Sequence, residues 1–343
     1  MKDREWQQLL RVVAGEAVTP LPVGFIIDSP WLPGWAGMST LDYFASDSRW
    51  LEANLKAERR FPGLMFLPGF WSEFGMCTEP SAFGAKCVWH ENDLPFAEKI
   101  LETPEQMAVL AKPDPRTDGL LPFMLKRLEH AAPALEAEGH AIRFAVARGP
   151  LNIASFLMGS TEFLMAMKLS PEATHAMLAA ITDFLVDWLR LQAERVPTIQ
   201  GVFLLDDIAG FMGKADFAEF AAPYLKRSFA AIDSKVGFFH NDAQGMVCAP
   251  FLNDIGVNLF NFSFNHSMAE MRAAAGPTVT LLGNLPPRDV LAGGSPQAVS
   301  EGVRAMLSPL GGDLRRVIAS CGGGMAPNTP TENIEAFVAA ARG

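Results

Sequence analysis

Val202-Phe203-Leu204-Leu205-Asp206-Asp207, followed by the stretch Asp216–Ile232 and then by Val236-Gly237-Phe238-Phe239-His240, is the segment on which the fold turns. Two short apolar runs of strand length each end in polar side chains, and a helix-length segment separates them. In that segment Phe217, Phe220, Ala221, Tyr224, Leu225 and Phe229 recur at intervals of three and four, which makes one apolar stripe. Pro223 is expected to break the segment into two helices, because proline removes a backbone donor and crowds the preceding turn. Strand, helix and strand in this order read as one βα unit of a parallel sheet.

Working outward, the same pattern recurs. The runs Pro22–Ile27, Leu64–Pro68, Ile142–Ala147, Val202–Leu205, Val236–Phe239, Val257–Phe260, Val279–Leu282 and Arg316–Ala319 give eight candidate strands separated by helical periodicity. Eight βα repeats close a barrel, so the expected fold is α/β, a single (β/α)8 TIM barrel spanning 1–343 as one domain. Such barrels keep their chemistry at the C-terminal ends of the strands. Polar groups fall there repeatedly: Asp28 and Ser29, Trp71 and Glu73, Arg148, Asp206 and Asp207, His240 and Asp242, Asn261 and Ser263, Asn284, then Ser320 and Cys321. Some of these would only satisfy loop backbone.

The segment from Trp71 to Phe96 (71–97) is too long and too broken by Gly75, Pro80, Gly84 and Pro95 for a minimal βα connection. It reads as an insertion after the second strand that caps the mouth, a candidate lid. At the other end of the chain, Thr329-Pro330-Thr331-Glu332 predicts a capping box with proline at the first helical position, and Ile334, Phe337 and Val338 mark the buried face.

Composition excludes whole classes of function. With 49% apolar and 19% charged residues in 343, the chain can bury a large core and is not disordered. A net charge of −10 without a Lys or Arg run argues against nucleic-acid or anionic-membrane partners. MKDREWQQLL carries charges where a signal peptide needs an apolar core, and no 18-residue apolar stretch follows, so a cytoplasmic location is expected. Four cysteines, at 77, 87, 248 and 321, include no Cys-x-x-Cys pair and read as thiols.

Several stretches together resemble the uroporphyrinogen decarboxylase superfamily: Gly149-Pro150-Leu151 through Gly159, Asp207 to Tyr224, Gly283-Asn284-Leu285 to Gly294, and above all GGGMAPNTPTEN at 322–333. The decarboxylases of that superfamily carry an arginine-rich motif after the first strand that holds a tetrapyrrole's carboxylates. Here that place reads IIDSPWLPGW, with no arginine from Gly24 through Ser48, and Asp28 would repel a polycarboxylate. The sequence looks more like the corrinoid-dependent methyltransferases. Those relatives typically bind zinc through His-x-Cys after the fifth strand and a cysteine in the glycine-rich turn after the eighth. In this chain the pair reads His240-Asn241-Asp242, and the third position falls on Gly323 with Cys321 two residues earlier. The resemblance implies a metal set of His240, Asp242 and Cys321, with Asp207 or Glu219 able to complete a harder, oxygen-rich one.

The remaining candidates keep two readings each. His240 is a site residue or a satisfied core histidine. Of the adjacent Asp206 and Asp207, strand alternation sends only one into the pocket, and the resemblance favours Asp207 as acid or base. Arg148 either clamps an anionic group or pairs with Asp207. Gly322–Gly324 cradles a phosphate or admits a bulky ligand. Trp31, Trp35, Phe70, Trp71, Phe262 and Phe264 wall an apolar substrate pocket or belong to the core, and Asn284 and Gly323 stand beside them as substrate contacts. Cys77, Cys87 and His90 have a metal-compatible spacing without an evident fourth ligand, and read as structural.

The expected function is transfer of a methyl group from a small methylated compound (an aryl methyl ether, amine or thioether) to the cobalt of cobalamin. The cobalamin is free or on a separate corrinoid protein, zinc is a possible metal, and homo-oligomers are compatible with the sequence. The rival readings are a metal-free decarboxylase of a smaller acid, using Asp207, Arg148 and His240, and a non-catalytic ligand-binding protein.

Overall fold

The computed structural model describes residues 1–27, 30–243 and 246–343. Eight parallel strands appear where the apolar runs place them: β1 (Gly24–Ile26), β2 (Met65–Leu67), β3 (Phe144–Arg148), β4 (Gly201–Leu205), β5 (Val236–Asn241), β6 (Leu259–Phe262), β7 (Thr280–Leu285) and β8 (Val317–Cys321). Strands β3 to β8 form one six-stranded parallel sheet in chain order, and β1 pairs with β2 in a second. The two sheets join where Ala319 N–H donates to Pro22 O at 2.9 Å and Met325 N–H to Ile26 O at 3.1 Å. The fold is a (β/α)8 barrel.

The alternation of side chains shows which face is the inside. One buried cluster takes a residue from every strand: Ile26, Met65, Leu67, Phe144, Val146, Phe203, Leu205, Val236, Phe238, Leu259, Leu282 and Ile318. The intervening residues, such as Phe25, Phe66, Ala145, Leu204, Phe239, Phe260 and Val317, belong to the outer cluster that packs against the helices. Phe203 and Phe238 stack at 4.1 Å in the barrel interior, flanked by Trp71 and Phe144. The N-terminal end is plugged by the helix Asp3–Val13, whose Trp6, Leu9, Val12 and Val13 join the interior cluster. Trp6 meets Phe144 edge-on at 5.6 Å.

Between β2 and β3 no backbone ladder is found among the described residues. Side chains and chain ends bridge that seam. At its lower end Met1 and Ala141 exchange two hydrogen bonds, and at its upper end the segment after β2 reaches across to Arg148. That segment, the expected insertion, folds into a short helix, Thr78–Ala82, and an antiparallel pair, Cys87–Val88 with Phe96–Ala97.

Two local expectations are corrected. The stripe Phe217, Phe220, Ala221, Tyr224, Leu225 and Phe229 is buried as the spacing requires, but Pro223 does not split the helix. A π-turn, Phe217–Ala221, widens the backbone just before it and runs on into Ala222–Phe229, which accommodates the missing donor without a break. The last helix starts at Thr331 with Pro330 as its N-cap, and the Thr329 hydroxyl donates to Ala326 O instead of capping. Among the described residues no helix is long and apolar enough to cross a membrane.

Candidate active site

Inward alternation, continued one or two residues past the strand ends, produces the polar rim. Above Leu205 the next inward position in β4's register is Asp207; above Phe238 come His240 and Asp242, and above Leu259 comes Asn261. The adjacent acid, Asp206, takes the outward direction. It is fully buried, and its two oxygens accept the N–H groups of Leu151 and Asn152 at 2.9 and 3.0 Å. These are free donors in the first turn of the helix Pro150–Met158, so Asp206 acts as a remote cap. A side chain at Gly149 would collide with that carboxylate, which explains the glycine.

Asp207, His240 and Asp242 converge, with one potential ligand atom of each lying within 4.8 Å of the others. His240 Nε2 stands 3.5 Å from Asp207 Oδ1, and the Asp242 N–H donates to the same oxygen at 3.3 Å. Asn261 fixes the imidazole. Its amide nitrogen donates to Leu282 O at 2.8 Å and Cys321 O at 3.1 Å, so its oxygen must face His240 Nδ1, 2.8 Å away. Nδ1 therefore carries a proton, and in the neutral ring the Nε2 lone pair points toward the two carboxylates.

Electrostatics sharpen the arrangement. Burial works to lower the His240 pKa, but Asp207, Asp242 and the Asn261 hydrogen bond together hold it above its ordinary value. Desolvation raises Asp242, with Asp207 adding to the effect and His240 opposing it. These three residues can accept a proton, stabilise a cation or take up a metal ion.

They line a cavity of about 380 Å³ at the C-terminal mouth. Arg148 and Arg288 supply positive charge, and Met76, Leu94, Phe156 and Met325 supply apolar wall. Met76 and Leu94 come from the inserted segment. Arg148 does not take the expected pairing with Asp207. Its guanidinium binds Glu73 at 2.5 Å, with both side chains nearly enclosed.

Of the other sequence-expected site residues that the structure describes, most lie away from the cavity, each for a physical reason. Cys321 points outward into the helix-side core, because Ile318 and Ser320 hold the inward alternation in β8; its Sγ donates to Gly323 O at 3.3 Å. The third potential ligand is thus Asp207, while Glu219 pairs with His175 away from the cavity. Gly323, with φ +122°, passes so close to Asp242 that a Cβ there would come within 2.7 Å of its Oδ2. Phe262 is an outward residue of β6, stacked on Phe260 in the outer core. Trp31 is fully buried and donates its indole N–H to Thr329 O. Trp71 lies in the barrel interior with its indole N–H on Ile27 O. Asn284 donates to Ser263 O and His266 O, and so braces the β6 loop. Asp28 lies outside the described residues. His90 stacks on Phe96, away from the three-ligand group.

Three functional partners escaped the sequence reading as a set: Asn261 on His240, Glu73 on Arg148, and Glu79, which accepts the Arg148 backbone N–H. Asn261 was visible as an inward residue two after Leu259, but its partner was not.

A family profile described as uroporphyrinogen decarboxylase matches residues 5–343. The uroporphyrinogen decarboxylase of Schizosaccharomyces pombe is 25% identical over 96% of this chain and 95% of its own length. The methylated-thiol–coenzyme M methyltransferase of Methanosarcina mazei is 26% identical over 79% of this chain and 71% of its own. Among solved structures, a methyltransferase from Methanosarcina mazei superposes with a TM-score of 0.80 at 19% identity, covering 97% of both chains. With a profile match over nearly the whole length and the barrel shared with a solved relative, this chain belongs to the uroporphyrinogen decarboxylase family.

Proposed function

We propose that the protein is a methyltransferase: a small methylated compound binds in the mouth cavity and gives up its methyl group to the cobalt of a corrinoid, assisted by a divalent metal ion on Asp207, His240 and Asp242. The observation that carries the metal is the convergence of these three donors, with the His240 Nε2 lone pair turned toward two carboxylates. When bound there, such an ion, zinc among the candidates, supplies Lewis acidity to the heteroatom that bears the methyl group. Two carboxylates and one imidazole make a harder set than thiolates do, which favours an ether oxygen over a thiol.

The chain's own residues have separable tasks. Asn261 keeps His240 in one tautomer, and Asp207 stands at ion-pair distance from its Nε2, where its charge favours the protonated ring. Met76, Leu94, Phe156 and Met325 surround the apolar part of the substrate, while Arg148 and Arg288 face any acidic part. A cavity of about 380 Å³ suits a small ligand and is too small for a corrin macrocycle with its side chains. The corrinoid would therefore lie over the mouth, presented by a separate protein. The methyltransferase named among the relatives supports this reading, and the corrinoid acceptor follows from the motif resemblance.

Mixing the protein with reduced cobalamin and a panel of methyl ethers, amines and thioethers tests it. Formation of methylcobalamin, seen in the cobalt absorption spectrum, is expected with at least one donor class and is slowed in His240→Ala. A spectrum unchanged by every donor contradicts the proposal. The second reading, a decarboxylase of a smaller acid, is favoured by the two arginines lining the cavity and by the decarboxylase relatives. Carbon dioxide release by metal-stripped protein would select it.

A further inference from the structure

Arg148 is gripped twice from the same short segment. Glu73 binds its guanidinium, and Glu79, at the start of the helix Thr78–Ala82, accepts its backbone N–H at 3.1 Å through Oε1. The other Glu79 oxygen, Oε2, is buried without a hydrogen-bond partner, and so is the nearby Ser72 Oγ. Both residues line a void of about 10 Å³ together with Glu73, Thr78, Met124 and Arg148. Two orphaned polar atoms beside a space of this size are what one ordered water satisfies. The cluster also sits on the upper end of the seam where β2 and β3 lack a ladder.

We propose that Glu79 is the positioning residue of Arg148: one carboxyl oxygen fixes the strand end that carries the guanidinium, and the other shares a single water with Ser72. The consequence is a proton-dependent clamp. Burial dominates the Glu79 carboxyl and pushes it up to about 7, with Arg148 opposing and Glu73 adding to the rise. Arg148 and Glu73 are the charged side chains that act on it. The helix Leu121–Ala137 presents Met124 to the void, and the helix Pro150–Met158 carries no titratable side chain. With its proton, Glu79 adds no charge beside the Arg148–Glu73 pair. Without it, Glu79 adds a further negative charge that competes for the guanidinium. An anionic group entering the cavity beside Arg148 is then held more firmly below pH 7 than above it. This holds whichever reaction the cavity performs, so it can fail or stand independently of the methyltransferase reading.

The test follows the guanidinium Nε–Hε resonance of Arg148 in the full chain carrying 15N-arginine, assigned by its loss in Arg148→Lys. Between mildly acid and mildly alkaline pH the resonance should shift with a midpoint near 7. Glu79→Gln keeps the Oε1 acceptor and should abolish the shift, and His240→Gln should retain it. Ser72→Ala leaves both glutamates in place and should move the midpoint upward, since the ionised carboxylate loses part of its solvation. A resonance that stays still in the unaltered folded protein, or a shift that survives Glu79→Gln and vanishes in His240→Gln, overturns the proposal. A midpoint unmoved by Ser72→Ala removes the water from it.

Discussion

At the N-terminal end of the barrel Trp6, Phe144, Phe203 and Phe238 fill the interior ring against ring, and the charges nearby are spent inside the protein. Arg272 donates to Asp313 O and Arg315 O, and Arg316 to Val13 O and Thr278 O, beside a cavity of about 470 Å³ that they help to line. At the C-terminal end the same strands present Arg148, Asp207, His240 and Asp242 to a cavity of similar size. A shift of two residues along a strand keeps a side chain on the inner face and moves it from the apolar layer to the polar rim. Stability and chemistry are thereby carried by different layers of one wall.

Phe238→Ala should break this contrast most visibly. Its ring is fully buried against Phe203 and Phe144, so truncation should cost about 3–5 kcal/mol in denaturant unfolding. His240→Ala, one layer higher, should cost far less stability while altering the site. Equal losses for the two would end the division of labour.

The next effect is in pH. The native Glu79 carboxyl titrates at about 7 against an ordinary 4.5, so the folded state binds its proton more tightly than the unfolded chain does. Stability therefore falls as pH rises from about 4.5 through 7, by roughly 3 kcal/mol from this group. Glu79→Gln should flatten that slope in unfolding curves taken across the window. A slope that is unchanged would mean that Glu79 is not protonated in the fold.

Asp206→Ala should cost about 2 kcal/mol, because it orphans two buried N–H groups at the start of the helix Pro150–Met158. Asp207→Ala, its neighbour in sequence, should be nearly neutral, since that carboxylate is half exposed. Thermal unfolding of the pair separates the structural acid from the site acid. Less than for Asp206→Ala, the cost of Gly323→Ala should be about 1 kcal/mol through its positive φ, and the added methyl should displace Asp242. Chemical-shift changes confined to the mouth would show that displacement, and their absence would mean that the turn has room for a side chain.

Much of this was legible in the sequence because it follows from period. All eight strands, the split between Asp206 and Asp207, and the stripe from Phe217 to Phe229 are consequences of alternation or helical spacing. What escaped depends on contacts between distant segments. Nothing in Trp6 or Leu9 announces that the first helix plugs the barrel, and no local signal ties Glu73 and Glu79 to Arg148 across some seventy residues. Cys321 was misread because family spacing was counted along the loop, whereas its direction is set by Ile318 and Ser320 on the strand. For Trp31 and Phe262 the structure selects the core reading: Phe262 has the outward parity of its strand, and Trp31 is fully buried at the start of the short helix Leu32–Ala36.

Titration of the metal-stripped full chain with zinc, followed calorimetrically, tests whether Asp207, His240 and Asp242 together hold a metal ion. Stoichiometric binding is expected, lost in His240→Ala and in Asp207→Ala and retained in Cys321→Ser. Binding that survives Asp207→Ala and disappears in Cys321→Ser would contradict it.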